Sequence, residues 1–241
     1  MTAAVQQTRL AERRRLRPEL LAWGVLVGVV VYIGIDVLLA FLRPGYSLIY
    51  NAESDYGRGP WFWVMDANFL LRCALSLALV AALAQVIGPR AGARSGLALL
   101  ASWAVCSGLL AFFADDLEGQ PVRGSGIVHL TLAFIAFTCV TIGTIVLSGA
   151  LRSDPAWRGA VALLLPVSLA GAVAFLLLGT AMRHHHAPIG LYERIFLGLQ
   201  FLWIVLTAGW IAAKPDRQPA CPGQPCLTGR GLGAGRGPLR A

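Results

Sequence analysis

LLAWGVLVGVVVYIGIDVLLAFL, Leu20 to Leu42, is the stretch on which the fold turns. The Arg-rich segment RLAERRRLRPE precedes it, and a basic segment before an apolar run is also how a secretory signal begins. A signal's apolar core, however, spans only about 7–15 residues and ends at a small-residue cleavage site. This run continues over a length that crosses a hydrocarbon layer of about 30 Å at about 1.5 Å per residue. It also carries Asp36 near its far end. It reads as the first transmembrane helix of a multi-pass protein.

Working outward, comparable apolar runs recur at about 61–88, 96–114, 127–150, 158–181 and 189–212, the first covering 19–42. With 57% hydrophobic residues, 13% charged residues and a mean hydropathy of +0.67, the chain lies outside the range of soluble domains. The predicted fold is all-α: a six-transmembrane-helix bundle over 19–212, a basic cytoplasmic segment over 1–18 and a disordered cytoplasmic tail over 213–241. Most of the 20 Lys and Arg fall on the side of the N-terminus, so both termini are expected in the cytoplasm of an integral plasma-membrane protein. The net charge of +8 then reflects topology, and no nucleic-acid partner is expected. Oligomeric state is not legible. Cys73, Cys106 and Cys139 fall in mid-helix as small apolar residues, and Cys221 and Cys226 lie in the tail, where a reducing cytosol disfavours a disulfide.

Ionisable residues in the hydrocarbon layer cost at least about 2.5–3.5 kcal/mol each on insertion scales, so each calls for a partner, a wet cavity or a function. Asp36, Asp66, Arg72, Glu193 and Arg194 lie within the predicted helices. Glu53, Ser54 and Asp55 lie in the first outer loop. Arg72 stands about ten residues into the second helix, roughly 15 Å deep. Asp66, six residues earlier, points to a different side, which makes Asp36 the expected partner of Arg72. A Gly24-xxx-Gly28 step in the first helix permits close helix contact.

The segment FFADDLEGQPVRGSGIVHLTL (112–132) brings Asp115 and Asp116 to the end of the third helix and His129 to the start of the fourth. A carboxylate beside an imidazole fixes its tautomer and raises its basicity, as a general base or a metal-bound His requires. The alternative is a hydrogen bond that locks the hairpin. His184, His185 and His186 occupy the third outer loop; with His129 and Asp115 or Asp116, one of them could complete a divalent metal site such as zinc.

PGYSLIYNAESDYGRGPWFWVMDANFLL (44–71), the acid-to-His pair around Asp115 and His129, and GLYERIFLGLQFLWIVL (190–206) together resemble the bacterial and archaeal membrane family known as domain of unknown function 998. The shared marks are Ser54-x-x-Gly57 after the first helix, an acid closing helix three, a His opening helix four, and Gly-Leu-Tyr-Glu-Arg opening helix six. The resemblance covers about residues 18–212. It implies the six-helix fold and a polar site at the outer leaflet, without a reaction. The chain departs from the pattern in Phe113-Ala114, where a Phe-Pro step is expected, and in its second acid.

Three functions compete at this stage. The first is an enzyme acting on a lipid or isoprenoid-like substrate, a metal-assisted hydrolase in its simplest form. Asp115, Asp116, His129 and Glu193 would carry the chemistry, and Ser54, Asp55, Asp66, Asp36, Arg72 and Arg194 would bind substrate, Arg194 stabilising developing negative charge. The second is an acid-initiated terpene cyclase, for which Trp61, Phe62, Trp63, Phe112 and Phe113 would line an apolar cavity. The third is a non-catalytic transporter or lipid-binding protein, although the chain lacks the paired broken helices of transporter repeats.

Overall fold

The computed structural model describes residues 16–88, 90–116, 124–184 and 186–213. The expectations for the chain before residue 16, for His185 and for the tail from residue 214, with Cys221 and Cys226, lie outside the described residues. Within them the protein is all-helical: α1 (Pro18–Leu42), α2 (Phe62–Val86), α3 (Ala93–Leu109), α4 (Gly124–Leu151), α5 (Arg158–Ala181) and α6 (Ile189–Ala212). All six are long and apolar enough to cross a membrane, α3 together with the 3-10 turn Leu110–Phe112 that extends it. Helices are the expected solution in hydrocarbon, where each unpaired backbone N–H or C=O costs several kcal/mol.

Each helix packs against the next in sequence, and α6 packs against α1, so the six close into a ring. α6 also touches α2 and α4 across the middle. The exposed surface is apolar, with Phe41 at 81% and Val30 at 71% exposure, whereas Arg72, Asn68, Gln200, His129 and Glu193 are buried. Two indoles tie helices together: Trp103 on α3 donates to Ser76 on the neighbouring α2 over 3.1 Å, and Trp203 on α6 donates to Ser148 on the non-consecutive α4 over 3.0 Å.

Glycines let α3 and α4 approach closely. A Cβ at Gly96 would stand 2.6 Å from Leu147 Cγ, and one at Gly143 would stand 3.1 Å from Leu99 Cβ. The Gly24-xxx-Gly28 step behaves differently: Gly24 faces open space, and Gly28 makes only an ordinary contact with Leu75.

Two features of the chain set the stage for the site. First, α3 stops at Leu109 and the turn at Phe112, short of the predicted end at 114, so Asp115 and Asp116 occupy a non-helical segment. Phe113 takes an extended conformation there, which turns its carbonyl toward α4. Second, the α1–α2 connection does not lie over the surface. Its 3-10 turn Glu53–Gly57 is folded into the mouth of the ring, with Glu53, Ser54, Asp55 and Tyr56 all buried.

Candidate functional site

The buried turn Glu53–Gly57 divides the polar residues packed around it into two groups. On one side lie Tyr32 and Asp36 of α1, Arg72 of α2, and Glu193 and Arg194 of α6, all arranged around Glu53. On the other lie Ser54, Asp115, Asp116 and His129.

Arg72 is fully buried, and its partner is Glu53 at 3.7 Å, not Asp36. The correction has a physical reason: the loop carrying Glu53 enters the ring, and the Tyr32 hydroxyl on α1 bridges the pair, donating to Glu53 and accepting from Arg72 over 3.2 Å. The guanidinium also stands about 5.0 Å from the ring centres of Phe69 and Trp103, so its desolvation is offset by aromatic faces as well as by charge. Asp36 faces Arg194 instead, at 3.9 Å.

Glu193 and Arg194 open α6 and hold the loop from below. The Glu193 carboxylate accepts the backbone N–H of Glu53 over 2.7 Å. Arg194 donates from Nη1 to the carbonyls of Leu48, Asn51 and Gly190 over 3.1, 3.0 and 3.2 Å, and from Nη2 to the Tyr46 hydroxyl over 3.1 Å. Leu191 N–H adds a bond to Ile49 O at 2.9 Å. Arg194 therefore clamps the loop through its neutral acceptors, and both terminal nitrogens are engaged. Tyr46 stacks on Tyr56 with ring centres 3.9 Å apart. Burial pushes the Tyr46 hydroxyl well up, opposed by Arg194, and pushes Tyr56 up to about 12.

On the other side Ser54 donates to Asp115 Oδ2 over 2.9 Å, and His129 Nε2 faces the same oxygen at 3.8 Å. The other ring nitrogen, Nδ1, lies 2.6 Å from Phe113 O. Asp115 thus stands between the hydroxyl and the imidazole, so His129 is not positioned to take a proton from Ser54, and no nucleophile–base pair is formed. Arg58 pairs with Asp116 at 2.9 Å, and Arg43 donates to the carbonyls of Asp55 and Arg58. Asp55 accepts from Asn51 over 3.2 Å, and its burial pushes the carboxyl above the ordinary value despite that bond. The group is a clasp that joins the loop to the α3–α4 hairpin.

Several predicted residues stand apart. Asp66 is partly buried in the first turns of α2 and forms no ion pair among the described residues. His184 and His186 are exposed. Among the described residues no three or more His, Cys, Asp and Glu side chains are grouped so as to hold a metal ion, so the donor set imagined for zinc is not assembled there. Trp61, Phe62, Trp63 and Phe112 are exposed on the bundle's outside and are not among the residues that line the cleft between α1 and α6 described below.

A cleft of about 440 Å³ opens between α1 and α6, where the ring closes. Its walls are Val29 and Ile33 of α1 with Leu197, Gly198, Phe201, Leu202 and Val205 of α6, and its polar end is formed by Tyr32, Asp36, Glu53 and Arg194. The sequence points to Asp36 and Arg194 and places Glu53 in the outer loop without a role at the site, and it gives no place to Tyr32. The spacing Tyr32 to Asp36, one helical turn, was the available signal for Tyr32.

The family described as "Protein of unknown function (DUF998)" matches residues 26–210, a span that takes in all the residues of this site. No curated protein and no solved structure matches the chain.

Proposed function

We propose that this chain, which belongs to the DUF998 family, takes a lipid or isoprenoid-like molecule into the cleft between α1 and α6. The tail would lie along the apolar walls and the polar end would meet Asp36 and Glu53. The observation that carries this reading is the make-up of the cleft: one open, lipid-side cavity whose sides are aliphatic and aromatic and whose single polar end is built from a buried, hydrogen-bonded network. Its volume falls within the roughly 300–1,000 Å³ of small-molecule sites. The distribution of Lys and Arg supports an orientation in a plasma membrane with the α1–α2 loop outside, which would open the cleft in the outer leaflet.

Catalysis enters this reading at one place. Glu53 lines the cleft, accepts from the Tyr32 hydroxyl and has Arg72 as its counter-charge. A carboxylate and a phenol so joined, facing a bound molecule, can pass a proton to or from it. The reacting groups would then be Glu53 and Tyr32, whereas Ser54, Asp115 and His129 would position the turn that carries Glu53. The reaction needs no metal step in this form.

Gly198 supplies the test. It lines the cleft, and a Cβ there meets nothing within 4 Å, so the side chain of Gly198→Leu starts in open space at the cleft and can occupy it. A lipid analogue with a photoreactive group in its tail should label α1 and α6 preferentially in the wild-type protein and lose that preference in the variant. Labelling spread evenly over all six helices, or unchanged by Gly198→Leu, would refute the reading.

A further inference from the structure

The acids and bases gathered around Glu53 do not balance. Glu53 pairs with Arg72 at 3.7 Å, and Asp36 pairs with Arg194 at 3.9 Å. Glu193 is a further carboxyl in the same network, buried like Glu53, and it forms no ion pair among the described residues. Its side chain meets the backbone N–H of Glu53 instead. Three carboxyls therefore stand against two guanidiniums, with one negative charge in excess.

The guanidiniums do not absorb that excess through bonds to Glu193. The Nε atoms of Arg72 and Arg194 are buried and donate to no partner. The terminal nitrogens of Arg194 are engaged by the Leu48, Asn51 and Gly190 carbonyls and by the Tyr46 hydroxyl.

Neighbouring elements bring no spare cation among the described residues. α1 adds the phenol Tyr32, and the loop adds the phenols Tyr46 and Tyr56. Across the turn, Asp55, Asp115 and Asp116 outnumber Arg43 and Arg58, and a charged His129 only evens that group. Asp66, at the start of α2, is another acid. α3 carries no charged side chain at this end, and Arg183, which follows α5, is exposed to water.

A net charge held away from water is unfavourable, and a carboxylate removes it by taking a proton. We propose that Asp36, Glu53 and Glu193 share one exchangeable proton, so that the network around Glu53 is a proton-binding site at neutral pH. Asp36, Glu53 and Tyr32 line the cleft, whereas Glu193 and Arg72 are not among its lining residues. The proton accordingly exchanges on the cleft side, and a molecule bound there meets the network as an acid. In that step a carboxyl O–H bond breaks, its electron pair stays on the carboxylate oxygen, and the proton joins a lone pair or double bond of the bound molecule. The transfer step rests on the lipid-site reading above; the proton site stands on the charges alone.

Infrared absorption of the full chain in an ester-free detergent at neutral pH reads this proton, because a protonated carboxyl has a carbonyl band apart from those of carboxylates and shifts in heavy water. Asp36→Asn, Glu53→Gln and Glu193→Gln each leave two acids against two guanidiniums, so each should remove a carboxyl band of the same area. Arg72→Met leaves three acids against one guanidinium and should add an equal band. Any two of the amide variants decide the matter if another variant fails to fold. A wild-type spectrum without the band, a loss confined to a single amide variant, or an Arg72→Met spectrum without the gain overturns the shared site. Photolabelling of the cleft reads the lipid separately, so the two proposals fail independently.

Discussion

The backbone N–H of Glu53 donates to the carboxylate of Glu193 over 2.7 Å, joining the first loop to the last helix across 140 residues of chain. Because both residues are buried, the bond has no ready substitute in water. Glu193→Ala leaves a buried donor unmet and should cost about 1–3 kcal/mol of unfolding free energy in detergent. Glu193→Gln keeps an amide oxygen in place and should recover more than half of that loss. Equal stability of the two variants would show that the bond contributes nothing.

Arg72 is buried between a carboxylate, a phenol and two aromatic rings, so few replacements can meet all of its contacts. Arg72→Met strands Glu53 and should cost about 3–5 kcal/mol. Removing both charges in Glu53→Gln/Arg72→Met should cost less than the sum of the single changes, with a coupling on the order of 0.5–3 kcal/mol. Arg72→Lys should not rescue, since an ammonium cannot reproduce a flat guanidinium lying near the rings of Phe69 and Trp103 while facing Tyr32. Additive losses in the double variant would sink the pairing.

Two glycines of α6 should part company. A Cβ at Gly190 would collide with the Asn51 carbonyl oxygen and stand 2.9 Å from Leu48 O, where the loop is clamped. Gly190→Ala should destabilise by about 1–3 kcal/mol, as overpacking against rigid backbone does. Gly198→Ala meets only open space and gains helix propensity, so it should remain within about 1 kcal/mol of wild type. Thermal unfolding of the two variants in one detergent compares them directly.

The spans were legible because a bilayer imposes length and internal hydrogen bonding on every crossing segment; α5 and α6 keep the bounds 158–181 and 189–212 read from the sequence. That Arg72 needed a partner was equally legible. Which partner was not, because helix-borne acids such as Asp36 can be placed by periodicity, whereas Glu53 sits in a loop whose path depends on Gly190, Arg194 and Tyr46 together. Tyr32 was hidden for another reason. A lone phenol in an apolar run looks like any interfacial aromatic until its hydroxyl is seen between two charges. The separation of Ser54 and His129 by Asp115 was likewise beyond reach, since three residues on three elements can meet in any order.

Asp55 gives the fold a pH dependence of unusual sign. Burial is the leading cause that raises its carboxyl above the ordinary 3.8, with the nearby Asp115 adding to it and the Asn51 amide opposing. The native protein therefore holds this proton to higher pH than the unfolded chain does. In that interval the folded state binds more protons, so stability falls as pH climbs from the unfolded value through the native one, and levels off above it. Asp55→Asn removes the titration, preserves a carbonyl facing Asn51 and takes one negative charge away from Asp115. The difference in unfolding free energy, variant minus wild type, should rise from low pH to neutrality and then stay constant. Measured across that range in detergent, a difference that is flat or that falls with pH would mean that Asp55 is ionised in the native state as readily as in water.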